Sequence, residues 1–431
     1  MRTGSMRVAD ISVSAIRKNV RRVSDLTGGG NVIVVVKACG YGHDAAIAAS
    51  AAMAGGATMI ATADLEEALQ LRERGIDAPL LCWLHGPRVD FVPAIEQSID
   101  IGVAHLRQLE ALAGAARATG RPATLQFKID TGLSRNGAAR EEWDELFRRG
   151  AELEREGLVH VRGIFSHLAN AGEEADLAQG AKFDEAVALL RAAGCEPAMI
   201  HLAASAATFT RPELYYNTVR VGVAAFGLSP FVEKNSAQLG LTPAMTLRSE
   251  VVALRGVPAG TGVSYGFNHV CEVATTLALV PVGYADGMPR ALNGSGAWVT
   301  IADERCPIVG RIGMDQFIVD VGPIAGRIDL GAPVVLFGDP ERGYPSIDNW
   351  ARLMRTINYE ILVGIGPRVL RRAVDETAVA EAESATGETA AGEVAAGEVA
   401  VGETAAGVAT ASGVTGGDAA IGAGPTGEVG A

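Results

Sequence analysis

The chain has 431 residues, of which 48% are hydrophobic, so it is long enough to build two substantial cores. Its net charge of −13 comes largely from ten acidic residues beyond position 372; the remainder carries only −3 and no basic stripe, which argues against nucleic-acid binding. The chain has no apolar run of the roughly 18 residues that a membrane span needs, and its scattered cysteines and polar start predict a cytoplasmic protein without a secretory signal.

In chain order, a short strand at 7–11 is followed by alternating strand and helix patterns. Apolar runs predict strands at 32–36, 58–62, 79–83, 99–103, 124–129, 161–165, 198–202 and 219–226. Helix-type periodicity predicts helices at 14–26, 44–53, 64–74, 106–118, 141–156 and 175–193. About eight β/α repeats favour a closed (β/α)8 TIM-type barrel over residues 12–238. An open doubly wound sheet is the alternative, but no Gly-x-Gly-x-x-Gly follows the first strand.

The pattern changes at residue 239 to short strands separated by glycines, which predicts a mainly β C-terminal domain over 239–372. Its strands are expected at 246–254, 277–282, 298–302, 317–321 and 334–337, followed by a helix capped near Ser346 that runs through 349–354. We expect the N-terminal strand within 1–11 to pair with this domain. Residues 373–431 repeat Gly-Glu steps without aromatic residues, which predicts a disordered acidic tail rich in Ala, Gly and Glu.

Lys37 is the most informative residue of the barrel segment. It directly follows the apolar run 32–36 and precedes a glycine-containing loop. An amine at the mouth of a buried strand is costly unless it has a partner or a use. This placement indicates amine chemistry, such as a Schiff base. The alternative is a lysine that only extends its charged end to solvent.

Polar residues also follow several other predicted strands at their carboxyl ends, where barrel enzymes place their chemistry. They are Lys128 and Asp130 after the fifth strand, Ser166 and His167 after the sixth, Ser205 after the seventh, and Arg220 within the eighth. Each one alone is a common polar residue at a strand end. Together with Lys37 they predict an active site at one end of the barrel.

The segment 35–43, Val-Val-Lys-Ala-Cys-Gly-Tyr-Gly-His, resembles the pyridoxal-phosphate attachment segment of alanine racemases, and the resemblance covers most of 6–372. It implies an enzyme that interconverts L-alanine and D-alanine, with pyridoxal 5'-phosphate bound covalently to Lys37. It also implies cofactor contacts for matched residues. The phosphate contacts would be Tyr41, Ser205, Gly222, the backbone of Val223, and Tyr359; His167 would pack against the ring and Arg220 would bond the ring nitrogen.

The resemblance assigns further roles, several of them in the second domain. Lys37 and Tyr265 would be the two catalytic bases, on opposite faces of the substrate. Arg135 would bind the substrate carboxylate, with help from the backbone at Met314, and Tyr284 would narrow the entrance. Lys128 matches a lysine that is carbamylated in many relatives; the alternative is an unmodified lysine paired with Asp130.

The resemblance also implies a head-to-tail homodimer in which each active site joins the barrel of one subunit to the β domain of the other. It implies no metal, and a role in supplying D-alanine for peptidoglycan. Three positions depart from the usual pattern: Ala204, Gly313 and the pair Cys39-Gly40. Two alternatives stay open. One is a broad-specificity or serine racemase of the same fold; the other is a non-catalytic pyridoxal-phosphate-binding barrel, a class that lacks the second domain.

Overall fold

A computed structural model describes residues 5–375, and its largest feature is a closed parallel barrel. The chain begins with strand β1 (Val8–Ser12), which lies outside the barrel. The barrel strands are β2 (Asn31–Val35), β3 (Met59–Thr62), β4 (Leu80–Cys82), β5 (Ile99–Val103), β6 (Ala123–Lys128), β7 (Val159–Phe165), β8 (Met199–His201) and β9 (Thr218–Val221). β9 closes the ring by pairing in parallel with β2. The predicted TIM-type barrel followed by a mainly β domain is confirmed.

The barrel strands are apolar on both faces because helices cover the outside and side chains fill the inside. The helices of this region are Val13–Leu26, Ala45–Ala54, Leu65–Glu73, Val92–Glu96, Leu106–Thr119, Trp143–Arg155, Glu173–Ala192 and Ser205–Thr210. Side chains fix where several of them begin: the Ser12 hydroxyl accepts from the amide of Ala15, and the Asp64 carboxylate accepts from the amide of Glu67. Within residues 5–375, no helix is both long and apolar enough to cross a lipid bilayer.

The second domain is built on a nine-stranded sheet in the order β11-β14-β17-β16-β15-β18-β10-β1-β19. Its strands are β10 (Met245–Glu250), β11 (Ala253–Val257), the hairpin β12 (Gly262–Val263) and β13 (His269–Val270) beside the sheet, β14 (Thr275–Val280), β15 (Trp298–Ile301), β16 (Glu304–Val309), β17 (Phe317–Asp320), β18 (Pro333–Phe337) and β19 (Leu370–Val374). Two helices, Ile347–Met354 and Asn358–Val363, precede β19. The second of them carries Tyr359 to the barrel.

β1 joins this sheet, although it precedes the barrel in the chain. It pairs antiparallel with β10 and parallel with β19. The carboxylate of Asp10, in the middle of β1, lies 3.0 Å from Arg248 on β10 and 2.7 Å from Arg372 on β19. The domain limits given above stay predictions. The predicted tail falls outside the described residues except for 373–375, of which 373 and 374 belong to β19.

Two strand predictions were wrong in extent. The predicted strand 246–254 is two strands, β10 and β11, because the chain bends between them and the β11 segment pairs with β14 instead of β18. The predicted strand 219–226 ends at Val221, and residues 222–226 form tight turns in which the amide of Ala225 donates to the carbonyl of Gly222. Those turn residues are as buried as a strand, so an apolar run alone does not distinguish the two.

Candidate active site

A cavity of about 570 Å³ opens at the carboxyl ends of the barrel strands. Ten of the residues singled out from the sequence line it: Lys37, Tyr41, Lys128, Arg135, His167, Ser205, Arg220, Gly222, Val223 and Tyr359. The strands are parallel, so their carboxyl ends meet at one rim, and residues far apart in the chain are brought together there. The volume suits a ligand the size of a small cofactor.

Lys37 lies at the start of a single turn that directly follows β2. Burial and the nearby Arg135 guanidinium lower the pKa of its amine, and the Glu67 carboxylate opposes this effect. A lowered pKa increases the fraction of neutral amine at a given pH, and the neutral form is the nucleophile and the base. The lysine therefore lies in surroundings that favour amine chemistry.

Neutral hydrogen-bond donors converge at one side of the cavity. The amide of Gly222 donates to the Ser205 hydroxyl at 3.1 Å, and the rings of Tyr41 and Tyr359 lie 6.0 Å apart. A side chain at position 222 would collide with the Tyr41 hydroxyl, so glycine is required for that hydroxyl to lie against the backbone here. Burial raises the pKa of both phenols, that of Tyr359 to about 12, so both remain protonated donors at neutral pH. Such a set of hydroxyls and amides suits a phosphate group.

Arg220 is the most strongly held residue of the cavity. The residue is 4% exposed, and its guanidinium donates to the carbonyl oxygens of Ser166 at 2.5 Å and His201 at 2.9 Å. It also donates to Nδ1 of His201 at 2.9 Å and to Nδ1 of His167 at 3.2 Å. Burial lowers its pKa to about 9, which is still above neutral, so the group stays charged. Arg220 thus presents a fixed cationic donor to the cavity.

A chain of buried hydrogen bonds continues from Arg220 through the barrel interior. Guanidinium groups only donate, so Nδ1 of His201 is the acceptor and its Nε2 carries the proton. Nε2 of His201 donates to Oε1 of Gln126 at 2.7 Å, and Nε2 of Gln126 donates to Asp100 at 2.9 Å. Arg162 completes the chain 3.0 Å from Asp100. Burial and Arg220 lower the pKa of His201 well below its ordinary value, so this histidine is neutral.

Two more cations, Lys128 and Arg135, share the cavity. Lys128 is 7% exposed, and its ammonium lies 5.8 Å from the ring centroid of Trp83 and 5.9 Å from that of Phe165. Burial, followed by Arg220 and Arg135, lowers its pKa to about 8. The Asp130 carboxylate accepts from the amides of Gly132 and Ser134. Asp130 therefore shapes the loop that leads to Arg135.

The remaining three predicted site residues lie elsewhere in the same chain. Tyr265 and Met314 line a groove of the β domain, and their side chains are 71% and 55% exposed. Tyr284 adjoins them, because its amide donates to the carbonyl of Gly313 and the next amide donates to that of Met314. None of the three lines the barrel cavity of its own chain.

One buried carboxylate anchors the loop that carries Tyr284. Asp286, whose side chain is fully buried, accepts from the amide of Gly283 at 2.9 Å and from Arg7 and Arg368 at 3.0 and 2.9 Å. Arg368 also lies 2.6 Å from Asp315. The two loops that bear Tyr284 and Met314 are thereby fixed to each other and to the segments that lead into β1 and β19.

Several residues that contact the predicted site were missed in the sequence. His201 and Gln126 lie inside strands whose apolar pattern concealed them. Glu67 accepts from the amide of Ala38, next to Lys37; the spacing Asp64-x-x-Glu67 at a helix start was the available signal. Across residues 5–375, no group of three or more His, Cys, Asp or Glu side chains is arranged to hold a metal ion.

Comparisons with known proteins give concordant results over nearly the whole described part of the chain. The family model "Alanine racemase, N-terminal domain" matches residues 11–230, and "Alanine racemase, C-terminal domain" matches 244–373. An alanine racemase of Mycolicibacterium smegmatis is 43% identical over 364 residues, which is 84% of this chain and 93% of the relative. One from Frankia casuarinae is 44% identical over 370 residues, 85% and 96% of the two chains.

A solved structure agrees with these sequence matches. The crystal structure of the alanine racemase from D-cycloserine-producing Streptomyces lavendulae superposes with a TM-score of 0.82 at 42% identity. That match covers 86% of this chain and 98% of the other.

The lowered pKa of Lys128 predicts a pH dependence of stability. The pKa is about 8 in the folded protein and 10.5 in its ordinary state. Between these values the unfolded chain binds more protons, so the free energy of unfolding should rise with pH. Lys128→Met removes the buried ammonium; it should stabilise the protein by up to about 3 kcal/mol at pH 7 and flatten the rise. Denaturant unfolding in carbon-dioxide-free buffer from pH 7 to above pH 10 measures both effects.

The exposed Lys182, on the helix Glu173–Ala192, provides the matched control. Lys182→Met should leave the pH profile of the parent protein unchanged. If Lys128→Met also retains the parent profile, the amine of Lys128 is not destabilised in the folded state.

Proposed function

The chain belongs to the alanine racemase family, and from that membership we propose how its own residues carry out the reaction. The protein is an alanine racemase, which interconverts L-alanine and D-alanine. The observation that carries the proposed mechanism is the convergence of the Lys37 amine, the neutral donors and Arg220 in one cavity. We further propose that the enzyme acts in the cytoplasm and supplies D-alanine for peptidoglycan.

The proposed cofactor is pyridoxal 5'-phosphate, which the family uses. When bound, it withdraws electrons from an attached amino acid, so that the α-proton becomes acidic enough to remove. Lys37 would hold it covalently, and the cluster of Tyr41, Ser205, Gly222, Val223 and Tyr359 would hold its phosphate. Glycine at position 222 supports this fit, because a Cβ there would collide with the Tyr41 hydroxyl and displace it from the cluster.

His167 and Arg220 would orient the cofactor ring. Burial and Arg220 lower the pKa of His167 to about 3, so its imidazole is neutral and can pack against an aromatic ring without adding charge. Arg220 would donate a hydrogen bond to the ring nitrogen. An arginine cannot accept a proton, and this one remains charged, so the ring nitrogen beside it should stay unprotonated. The buried chain that ends at Arg162 would keep the guanidinium in place.

Racemisation requires a proton to leave one face of the α-carbon and another to arrive on the opposite face. We propose Lys37 as the base on the D-alanine face and Tyr265 as the base on the L-alanine face. The buried amine of Lys37, with its lowered pKa, is suited to exchange a proton near neutral pH.

Tyr265 would be supplied by a second subunit. Within one chain it lies in the β-domain groove, 71% exposed, and does not line the cavity that holds Lys37. Met314 and Tyr284 are likewise exposed, and backbone hydrogen bonds join the two loops that carry them. A head-to-tail homodimer would insert these side chains into the barrel mouth of the partner and so complete two equivalent sites. The exposure of these large side chains supports that arrangement.

Arg135 would bind the substrate carboxylate, with the backbone at Met314 contributing from the partner and Tyr284 narrowing the entrance. Lys128 would orient Arg135 if its amine were carbamylated, because the added group is an anion. The pKa of about 8 and the surrounding cations support this modification, since a neutral amine reacts with carbon dioxide and an anion would offset the neighbouring charges.

Activity is tested directly by incubating purified protein with L-alanine and pyridoxal phosphate, followed by chiral chromatography. We expect conversion to an equal mixture of enantiomers. Lys37→Ala should lower the rate by at least about 1,000-fold, because the cofactor loses its attachment and the reaction loses a base. Lys182→Ala is a matched control and should retain the parent rate. Failure to form D-alanine in the parent protein would contradict the function.

The shared site predicts complementation between inactive variants. Lys37→Ala and Tyr265→Phe chains, unfolded together and refolded as a mixture, should recover about a quarter of the parent activity. Half of randomly assorted dimers are mixed, and each mixed dimer contains one intact site. Chiral analysis before and after mixing measures the recovery. No recovery in mixtures that form dimers would show that each site is built within one chain.

Carbamylation of Lys128 is tested by intact mass and peptide mass spectrometry in bicarbonate buffer. We expect a mass increase of one carbon dioxide in the parent protein, absent from Lys128→Met. An unmodified Lys128 under native conditions would show that Arg135 is oriented without this anion.

A further inference from the structure

The four residues after Lys37 adopt a left-handed helical turn. Ala38 has φ 51° and ψ 54°, Cys39 has 56° and 44°, Gly40 has 64° and 43°, and Tyr41 has φ 52°. This conformation is unfavourable for every residue except glycine, because the Cβ approaches the backbone. It persists only where the surrounding structure holds it, and such places concentrate at functional sites. Lys37 and Tyr41 stand at its two ends, so the turn sets how their side chains enter the cavity.

Glu67 contacts the start of this turn. One carboxylate oxygen accepts from the amide of Ala38 at 2.7 Å, and the other accepts from the amide of Ala63 at 2.8 Å. Ala63 directly follows β3, the strand that pairs with β2. A single carboxylate therefore joins the carboxyl ends of two adjacent barrel strands. Both bonds are charge-assisted, which makes them stronger than bonds between neutral groups.

The geometry departs from the ordinary start of a helix. Asp64 caps the helix Leu65–Glu73, and Glu67 is its third residue, where a glutamate usually turns back to the amide of the capping residue. Here Glu67 instead reaches the amide one position earlier and the amide of Ala38. The carboxylate is thus used to bridge the helix to the turn after Lys37.

The charge of Glu67 also acts on the lysine. It raises the pKa of the Lys37 amine, against the lowering by burial and by Arg135. The other titratable groups that interact with Lys37 are Lys128 and His167, on the opposite side of the cavity. Glu67 is therefore the anionic neighbour in a set whose other charged members, Arg135 and Lys128, are cations.

We propose that Glu67 is a positioning residue for Lys37: its carboxylate holds the left-handed turn, and so fixes the Lys37 amine relative to the Tyr41 hydroxyl. The proposal rests on the proposed function for the roles of those two residues. It concerns the turn and the amine themselves, which are measurable whether or not alanine is racemised.

The first measurement is hydrogen exchange of the full-length holoenzyme. Glu67→Gln keeps the size of the side chain but has one acceptor oxygen for two amides, so at least one bond is lost. Exchange in peptides covering 38–41 should become faster by about tenfold or more. Glu66, the exposed neighbour on the same helix, supplies the matched control, and Glu66→Gln should exchange like the parent.

The second measurement is the pH dependence of Lys37 acylation in the full chain after cofactor removal, followed by mass spectrometry. The exposed Lys18 is the internal reference. Loss of the negative charge should move the Lys37 midpoint to lower pH in Glu67→Gln and leave it unchanged in Glu66→Gln. Glu67→Asp keeps the charge on a shorter side chain. Its Lys37 midpoint should stay close to the parent value, while the amides of the turn should still exchange faster than in the parent.

Turnover gives a third comparison. Glu67→Gln should lower kcat by about 10- to 100-fold with a smaller effect on KM, because the change displaces the Lys37 base and leaves the substrate contacts in place.

Two results would overturn the proposal. One is parent-like exchange at 38–41 together with a parent-like Lys37 midpoint in Glu67→Gln; the other is changes of equal size in Glu66→Gln. If Glu67→Gln does not fold, Glu67→Asp decides: unchanged exchange at 38–41 would overturn the proposal. If Glu67→Gln shows the expected changes in exchange and in the Lys37 midpoint but the parent protein does not racemise alanine, the result contradicts the proposed function and not the positioning role.

Discussion

Lys37, Lys128, Arg135 and Arg220 share one cavity, and burial together with neighbouring positive charge sets its chemistry. Burial lowers the pKa of Lys37, Lys128 and His167 most, and neighbouring cations lower it further, because a nearby positive charge in low dielectric disfavours another. The result is a cavity with amines of lowered pKa and a neutral histidine, which attracts anions. A phosphate and a carboxylate are the groups that such a cavity accommodates best.

Arg220, the most buried of these cations, is held by partners of its own. Arg220 is fixed by carbonyl oxygens and by two neutral histidines, and the chain from His201 through Gln126 to Asp100 satisfies the polar groups that lie behind it. Buried polar chains of this kind stabilise only when every member is bonded. The interior of the barrel is thus a support for the guanidinium as well as a core.

The β domain incorporates β1, the strand that precedes the barrel, and its proposed functional side chains are exposed in a single chain. β1 lies between β10 and β19, and Asp286 links Arg7, Arg368 and the Tyr284 loop. Tyr265 and Met314 remain exposed in a single chain. Under the proposed function such a chain would contain two parts of an active site, and a symmetric pair of chains is the simplest arrangement that would join them.

Much of the barrel could be predicted from the sequence, because alternating strand and helix patterns are local. Apolar runs alternating with helical periodicity predicted all eight barrel strands. Polar residues at strand ends predicted five residues of the cavity, Lys37, Lys128, His167, Ser205 and Arg220, and the family resemblance supplied the other five. The β domain was predicted less well. β12, β13, β16 and β19 were missed and 246–254 was taken as one strand, since short strands are defined by their pairing partners and not by their own sequence pattern.

By itself, the sequence determined the order of the barrel strands, the lysine at the end of β2 and the family motif around it. Only the tertiary structure decided the left-handed turn after Lys37, the bond from Glu67 to Ala38, and the buried chain behind Arg220. It also decided that Tyr265 lies apart from Lys37 within one chain. Local composition reports which faces must be buried. Backbone conformation and hydrogen-bond partners at a barrel rim depend on contacts between residues distant in sequence, which no local pattern specifies.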